Sequence, residues 1–575
     1  MGKIIRLDEK LANMIAAGEV VENPASVVKE LVENALDAKS TRIEVDLEGA
    51  GMKRIRVIDD GEGMAHDDVD IALERHATSK IKTEHDLHHI QSLGFRGEAL
   101  PSIASVSTLT LESSDGTTTA RRLTIKNGRR ESDTIGTMKQ GTAISVEGLF
   151  YNTPARLKHL KGEPRELSMV VDYIHKLALA HPRVRFTLTH DRKTLFHTTG
   201  DGNTQKILYQ IYGADVAKSM MTFTANNAYF SIRGTLAKPA HTRSARRHVT
   251  LITNGRVIKN TRIVKAVIDG YKTYLPTHQY PIALLEIDVD PLLIDINIHP
   301  QKLDIKFSEE RRLIELIETN VRQTLVRADL TPTAQKTTPY HQPDQTRMDL
   351  TDAIEEPNTP YQTPKPEETS EPKSRQTKAT SSRFPDIEYI GQYAGTYLLF
   401  QNDEGLYMLD QHAAAERIRY EQYYRAMQAD RTTQQTLLTP IAIDLTGAER
   451  IALQGSESVF EAIGIHLDIT DAAANVTAVP TWFPTDHVER YTEAAIETVL
   501  DERDLAIGPL IDHVAKELSC KHSIRANKHL SRDEINVLMR NLANAHNPFT
   551  CPHGRPTLIK LTTHEIERMF KRVMS

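Results

Sequence analysis

Apolar residues recur along this chain at two periods, and the changes of period mark its elements. Between Val27 and Ala38, the apolar residues Val28, Leu31, Val32, Ala35 and Leu36 fall on one face of a 3.6-residue helix. Asn23 stands where an N-cap belongs, and Pro24 suits a first turn. The other face aligns Glu30, Asn34 and Asp37 at i, i+4 and i+7. A solvated face ordinarily pairs Glu with Lys, whereas two carboxylates and a carboxamide in line suit a hard cation and an activated water. The period shortens to two over Arg42 to Leu47 and Lys53 to Ile58, which predicts two strands. The second runs into Asp59-Asp60-Gly61-Glu62-Gly63. A carboxylate at a strand end, with glycines at +2 and +4, lets backbone approach a flat ligand such as adenine, whose amine can donate to Asp59. Gly94-Phe95-Arg96-Gly97-Glu98-Ala99-Leu100 then places glycines before a predicted helix start, where free N–H groups suit phosphate oxygens. Gly141-Thr142 leads a β-rich run to Leu149 and on through Arg156.

Later segments change character. Val216 to Ile268 holds no Asp or Glu but carries ten Lys and Arg over 53 residues, Arg256, Lys259 and Arg262 among them. Such a surface predicts contact with phosphate backbone, and its few aromatics argue against base stacking. Ile294 to Ile298 alternates as a strand and breaks at Pro300, two residues before Lys302, and a helix runs to about Leu325. From Thr331 to Arg383 there are 8 Pro and 11 Thr, with Met348, Leu350 and Ile354 as the bulky aliphatics. That is too little apolar surface to offset the entropy of ordering, so the stretch reads as a disordered linker, a coil spanning about 40 Å. Order resumes at Ile387. Thr396 to Phe400 and Leu406 to Leu409 form a predicted hairpin that delivers Asp410, with His412 and Glu416 at i, i+4 on the helix that follows. Cys551-Pro552-His553-Gly554 offers a thiolate and an imidazole on a tight turn, and Cys520 is the other cysteine. These are metal-capable donors; Glu421 lies about 140° around the helix from Glu416 and reads as a supporting residue.

At 575 residues the chain is too long for one core. No long apolar run and no signal-peptide pattern occurs at its start, so a soluble, cytoplasmic protein is expected. The net charge of −6 hides the local basic stretch. No GxxxxGK[ST] loop is present, which sets aside a P-loop ATPase.

Taken in order, the Glu30/Asn34 helix, the Asp59 strand end, the Gly94 to Leu100 segment and Gly141-Thr142 resemble the split-ATPase family of gyrase, a heat-shock chaperone, histidine kinases and MutL. Ile15 to Val21, Arg75 to Lys80 and Leu149 to Arg156 narrow the resemblance to the MutL family of DNA mismatch repair proteins. It implies an α/β (α+β) multidomain chain: an ATPase sandwich over 1–215, a basic, ribosomal-S5-like transducer domain over 216–330, the linker over 331–383, and an α+β dimerisation and nuclease domain over 384–575. Glu30 would be the general base and Asn34 the Mg²⁺ ligand. ATP would further meet Asp37, Asp59, Gly61, Gly63, Thr78, Ser79, Lys80, Gly94, Arg96, Gly97, Glu98, Ala99, Leu100, Thr142 and, from the second domain, Lys302 at the γ-phosphate. Asp410 to Glu421, Ser519-Cys520-Lys521, Cys551 to Pro556 and Phe570-Lys571-Arg572 resemble the nuclease-bearing subset of that family. The resemblance implies Zn²⁺ or Mn²⁺ held by Asp410, His412, Glu416, Cys520, Cys551 and His553. It also implies DNA, a homodimer, the mismatch sensor MutS and the replication sliding clamp as partners, the clamp through Gln435, Leu438 and Pro440, and a nucleoid-associated location. A coupler that recruits other nucleases is the alternative. A type II topoisomerase subunit would need an acidic metal-binding module that the sequence lacks.

Overall fold

The computed structural model describes residues 18, 20–81, 83, 92–94, 97–126, 128–272, 274–275, 279–295, 305–328, 384–429, 433–470, 474–483, 488–501, 507–521 and 529–570. The linker expected over 331–383, Arg96 and Lys302 lie outside the described residues. By contact the chain forms two compact units, Met1–Leu330 with Glu416–Ile524 and Thr331–Ala415 with Arg525–Ser575. Helices and strands mix in both.

The first unit opens on helix α1 (Pro24–Asp37), and its start is fixed as the sequence predicts. Asn23 Oδ1 accepts from Ser26 N at 2.9 Å while Ser26 Oγ accepts from Asn23 N at 3.1 Å, a reciprocal cap. Val27, Val28, Leu31, Val32 and Ala35 are buried in the core. Eight strands form one sheet: β1 (Arg42–Glu48), β2 (Arg54–Asp59), β3 (Thr108–Ser114), β4 (Arg121–Lys126), β5 (Arg129–Ile135), β6 (Gly141–Glu147), β7 (Arg185–His190) and β8 (Lys193–His197), in the order β5-β4-β3-β6-β2-β1-β7-β8. β1 runs parallel to β7 and antiparallel to β2. Helix α2 (Ala99–Val106) packs on β3 and β4, and helix α3 (Gly162–Ala180) on α1 and β7. The β2–β6 register sets Asp59 opposite Thr142, so the end of one strand and the start of another build the same spot.

A second sheet of five strands follows, with Val249–Thr253 parallel to Ala283–Val289 at its middle and Arg256–Ile258 at one edge. Helices Thr261–Tyr271 and Glu310–Arg327 pack together beside it, closely enough that a Cβ on Gly270 would lie 2.6 Å from the Val321 side chain. The acid-free stretch is not left unneutralised, because acids remote in sequence reach it. Arg233 pairs with Glu286 at 2.8 Å, Arg262 with Glu310 at 2.7 Å, and Arg247 with both Glu449 at 2.7 Å and Glu497 at 2.8 Å. Arg256, expected on a DNA-facing surface, is buried instead; only Lys259 and Arg262 of that trio are exposed. The reason is topological: Arg256 starts an edge strand whose tip turns inward against α3.

The second unit holds a sheet of Glu388–Tyr393, Tyr397–Asn402, Gly405–Asp410 and Leu558–Thr562, in that order. Its hairpin forms where the sequence predicts one, with a tighter turn, since Asn402 already pairs with Gly405. Among the described residues no helix is long and apolar enough to cross a membrane.

Helix Gly447–Leu453 lies against α3, and Glu449 at its start pairs with Arg247 and His248 of the second-sheet region. Burial alone would push the Glu449 carboxyl up, but His248, at 3.2 Å, and Arg247 outweigh it and hold the group well below its ordinary value of 4.5. A depressed carboxyl contributes stability that is present above that ordinary value and is lost as pH falls through the folded one. Thermal unfolding of the whole chain should therefore move to lower temperature between about pH 5 and about pH 3. Glu449→Gln should be less stable at neutral pH and less sensitive to that acidification; an identical pH profile in the variant would refute the assignment.

Candidate functional site

The polar stripe of α1 opens onto a cavity of about 640 Å³. Glu30, Asn34 and Asp37 line it from the helix, Asp59 and Gly63 from the end of β2, and Thr142 from β6. Thr78, Ser79, Lys80, Gly94, Gly97, Glu98, Ala99 and Leu100 close it from the loops and the start of α2. Residues up to 112 positions apart in the chain are thus brought to one place, because a helix and two strand ends converge there.

Asp59 sits at the buried end. Its Oδ1 accepts from Gly61 N at 2.9 Å and from Ser40 Oγ at 3.1 Å, which makes Gly61 a support behind the carboxylate. Burial, with the neighbouring Asp60 charge adding, raises the Asp59 pKa against those hydrogen bonds. Asp60 faces the other way and accepts from Thr41 N at 2.8 Å and Arg42 N at 2.7 Å, so the pair splits into one site residue and one loop anchor. Gly63 has φ +69°, and a Cβ there would lie 1.9 Å from the Ser114 carbonyl oxygen. No side chain fits between the two segments.

Asp37 organises the opposite wall. Its carboxylate accepts from Leu93 N at 2.7 Å, Gly94 N at 2.9 Å and Lys80 Nζ at 2.5 Å. Lys80 Nζ also donates to Asn34 Oδ1 at 2.8 Å. Asp37 is therefore a fastener for the loops, and Asn34 Oδ1 is the oxygen a divalent ion would share or take over. An amide oxygen on a helix beside carboxylates fits Mg²⁺, which prefers oxygen donors and keeps several waters. Glu30 lies 3.8 Å from Lys29 Nζ, which stands equally far from Glu33. Tyr173 of α3 donates to Glu33 at 2.7 Å, and burial, then Glu33 itself, pushes the phenol well above its ordinary value. Ser40, Glu33 and Tyr173 could not be assigned to the site from the sequence, because the contacts that bring them there, Ser40 to Asp59 and Tyr173 to Glu33, join residues 19 and 140 positions apart.

Asp410, Cys551 and His553 fall at one end of the second unit's sheet. Asp410 ends its strand, and its Oδ1 accepts from His412 N at 3.0 Å and Ala413 N at 3.1 Å, starting helix Gln411–Ala429. Asp410 N donates to Thr557 O at 2.9 Å, and Thr557 N to Phe549 O at 3.0 Å, so the Cys551 to Arg555 turn is tied to the same strand end. Cys551 is buried and its Sγ accepts from Arg555 N at 3.3 Å, while His553 is exposed. In the first unit Glu416 is buried, and Glu421 is buried and paired with Arg425 at 3.0 Å. Cys520 lies on helix Ile507–Lys521, its side chain outside those described. Gln435, Leu438 and Pro440 lie on strand Gln434–Ile443, where the pairing is irregular after Thr436 and Leu438 is fully exposed.

Comparison with known proteins matches residues 22–147 to the family described as "Histidine kinase-, DNA gyrase B-, and HSP90-like ATPase". Residues 208–326 match "DNA mismatch repair protein, C-terminal domain" and 390–530 match "MutL C terminal dimerisation domain". The chain is 42% identical over 620 residues to DNA mismatch repair protein MutL of Geobacillus sp. (strain WCH70), covering 100% of both chains. It is 44% identical over 615 residues, again with 100% of both covered, to the MutL of Anoxybacillus flavithermus. A solved N-terminal domain of a DNA repair protein aligns with 55% of this chain and 98% of its own, at 24% identity and a TM-score of 0.49.

The Asp37 fastener has a measurable consequence. In Asp37→Ala the Leu93 and Gly94 amides lose their acceptor, a cost of about 1–3 kcal/mol if they stay out of water. Their hydrogen exchange should accelerate at least about tenfold while β1 and β2 amides keep their protection. Equal exchange at Leu93 and Gly94 in both proteins would contradict the contact.

Proposed function

The chain belongs to the MutL family of DNA mismatch repair proteins and carries that family's ATPase and C-terminal dimerisation domains, and from this premise we propose a homodimer whose ATP cycle couples mismatch recognition to nicking of DNA. The observation that carries the proposal is the convergence of Glu30, Asn34 and Asp59 on one cavity. In this reading Asp59, kept in place by Gly61 N and Ser40, accepts from the adenine amine. Glu30 takes a proton from the attacking water as that water's oxygen bonds to the γ-phosphorus and the bond to the departing ADP oxygen breaks. Asn34 would hold Mg²⁺, whose contribution would be to neutralise phosphate charge. Gly94, Gly97 and the start of α2 offer backbone N–H groups to phosphate oxygens. Lys302 would report the γ-phosphate to the second domain.

The C-terminal half of the proposal is a metal-dependent nuclease. Its support is the donor chemistry: a buried thiol and an imidazole on a turn tied to the Asp410 strand end, with a cap that orients the helix carrying His412 and Glu416. Mixed thiolate, imidazole and carboxylate donors, with Cys520 completing them, suit Zn²⁺ and leave oxygens for Mn²⁺. Exposed Lys259 and Arg262 would contact DNA backbone. The exposed Leu438, with Gln435 and Pro440, would dock on the sliding clamp, and MutS would be the mismatch sensor. With these partners the protein would work in the cytoplasm at the nucleoid.

Two measurements test the proposal. Glu30→Ala should still bind nucleotide but hydrolyse it roughly 10²-fold more slowly, as expected on removing a general base; unchanged turnover would end that role. Purified protein should nick supercoiled plasmid with Mn²⁺, and Cys551→Ser and Asp410→Ala should each lose both bound metal and nicking while keeping ATPase activity. If the parent protein nicks with none of Mn²⁺, Mg²⁺ and Zn²⁺, the coupler reading replaces the nuclease.

A further inference from the structure

We propose that Arg256 is a positioning residue of the nucleotide site: presented by a hairpin of the second sheet, its buried guanidinium holds the Ser92 carbonyl and so fixes the Ser92–Gly94 backbone that Asp37 grips from the other side. The inference rests on the reading of the α1 cavity as the ATP site and adds to it a residue from outside the ATPase sheet.

Three observations carry it. Thr253 pairs directly with Arg256 across a two-residue turn of Asn254 and Gly255, both at positive φ (+48° and +78°), which is the tight hairpin geometry that matches strand twist. The tip therefore aims Arg256 in one direction. Its guanidinium is buried, and Arg256 Nη2 donates to the Ser92 carbonyl oxygen, 164 residues away in sequence. A buried guanidinium persists only where acceptors and opposite charge surround it. Glu33, Asp37 and Glu30 of α1 supply that charge, and Tyr173 of α3 acts on the same group, so Arg256 lies within electrostatic reach of the helix that carries the proposed base. Burial pulls the guanidinium below its ordinary value of 12.5 against those carboxylates.

Ser92–Gly94 is thus held from two sides. Asp37 binds the Leu93 and Gly94 N–H groups, and Arg256 binds the carbonyl of Ser92. Gly94 in turn lines the cavity. Losing the Arg256 contact should loosen this wall without moving Glu30, so it should weaken nucleotide capture more than the chemical step.

The experiment measures ATP hydrolysis and amide exchange in the full-length chain for Arg256→Lys, and for Arg256→Gln combined with Glu33→Gln, which removes the buried charge together with a partner and so protects the fold. The expected result in both is a KM for ATP at least about fivefold higher with kcat within about twofold, together with faster exchange at Leu93 and Gly94 measured without nucleotide. A lysine keeps the charge but not the planar fork, so full rescue by Arg256→Lys would show that charge balance alone matters and overturn the proposal. Unchanged KM with a lower melting temperature in both variants would also overturn it. If the parent protein does not turn over ATP, the cavity reading fails, and the exchange measurement still decides whether Arg256 positions Ser92–Gly94.

Discussion

One helix has to satisfy two surroundings at once. The apolar face of α1 must fill the core between α3 and the eight-stranded sheet, while its opposite face must present Glu30, Asn34 and Asp37 to an open cavity. Neither face can rotate without spoiling the other. A turn of one residue, about 100° on a helix, would drive a carboxylate into the core and a valine into the site. The reciprocal Asn23–Ser26 cap fixes where the helix begins, and the packing of five nearly solvent-free apolar side chains fixes its rotation. Precision at the site is thus inherited from core packing, and α3 contributes to both through the Tyr173–Glu33 hydrogen bond.

The parts of this arrangement that depend on short-range pattern were legible in the sequence. The cap at Asn23, the amphipathic stripe, the Asp59 strand end and the hairpin leading to Asp410 are each written in one short continuous stretch, where periodicity and turn chemistry act. What could not be read were pairings across long separations. Asp37 reads as a ligand-facing carboxylate in the stripe, yet most of its capacity goes to Leu93, Gly94 and Lys80. Arg256 reads as one of ten exposed cations, yet a two-residue turn folds it inward. Local composition carries no information on where a hairpin tip will point.

The acid-free stretch shows the same limit from the side of charge. A window without Asp or Glu predicts a strongly positive surface, but sheet pairing sets Arg233 beside Glu286, and helix packing sets Arg262 beside Glu310. Exposed pairs of this kind are worth little in stability, about 0–1 kcal/mol each, but they cancel potential efficiently at short range. Electrostatic character belongs to a surface, and a surface is assembled from segments that the sequence keeps apart.

Lys80 has a consequence for how the cavity selects what enters. Its ammonium bridges Asn34 and Asp37, so the wall carries its own tethered counter-ion. A bare divalent ion approaching Asn34 would meet this ammonium, which the Asp37 carboxylate keeps beside the amide oxygen. An ion that arrives already complexed to polyphosphate brings anionic oxygens to which the lysine can swing, so the exchange leaves every charge paired. If the cavity takes nucleotide as proposed, such a site would discriminate by co-arrival, admitting metal and nucleotide as one neutralised package and holding free metal at bay.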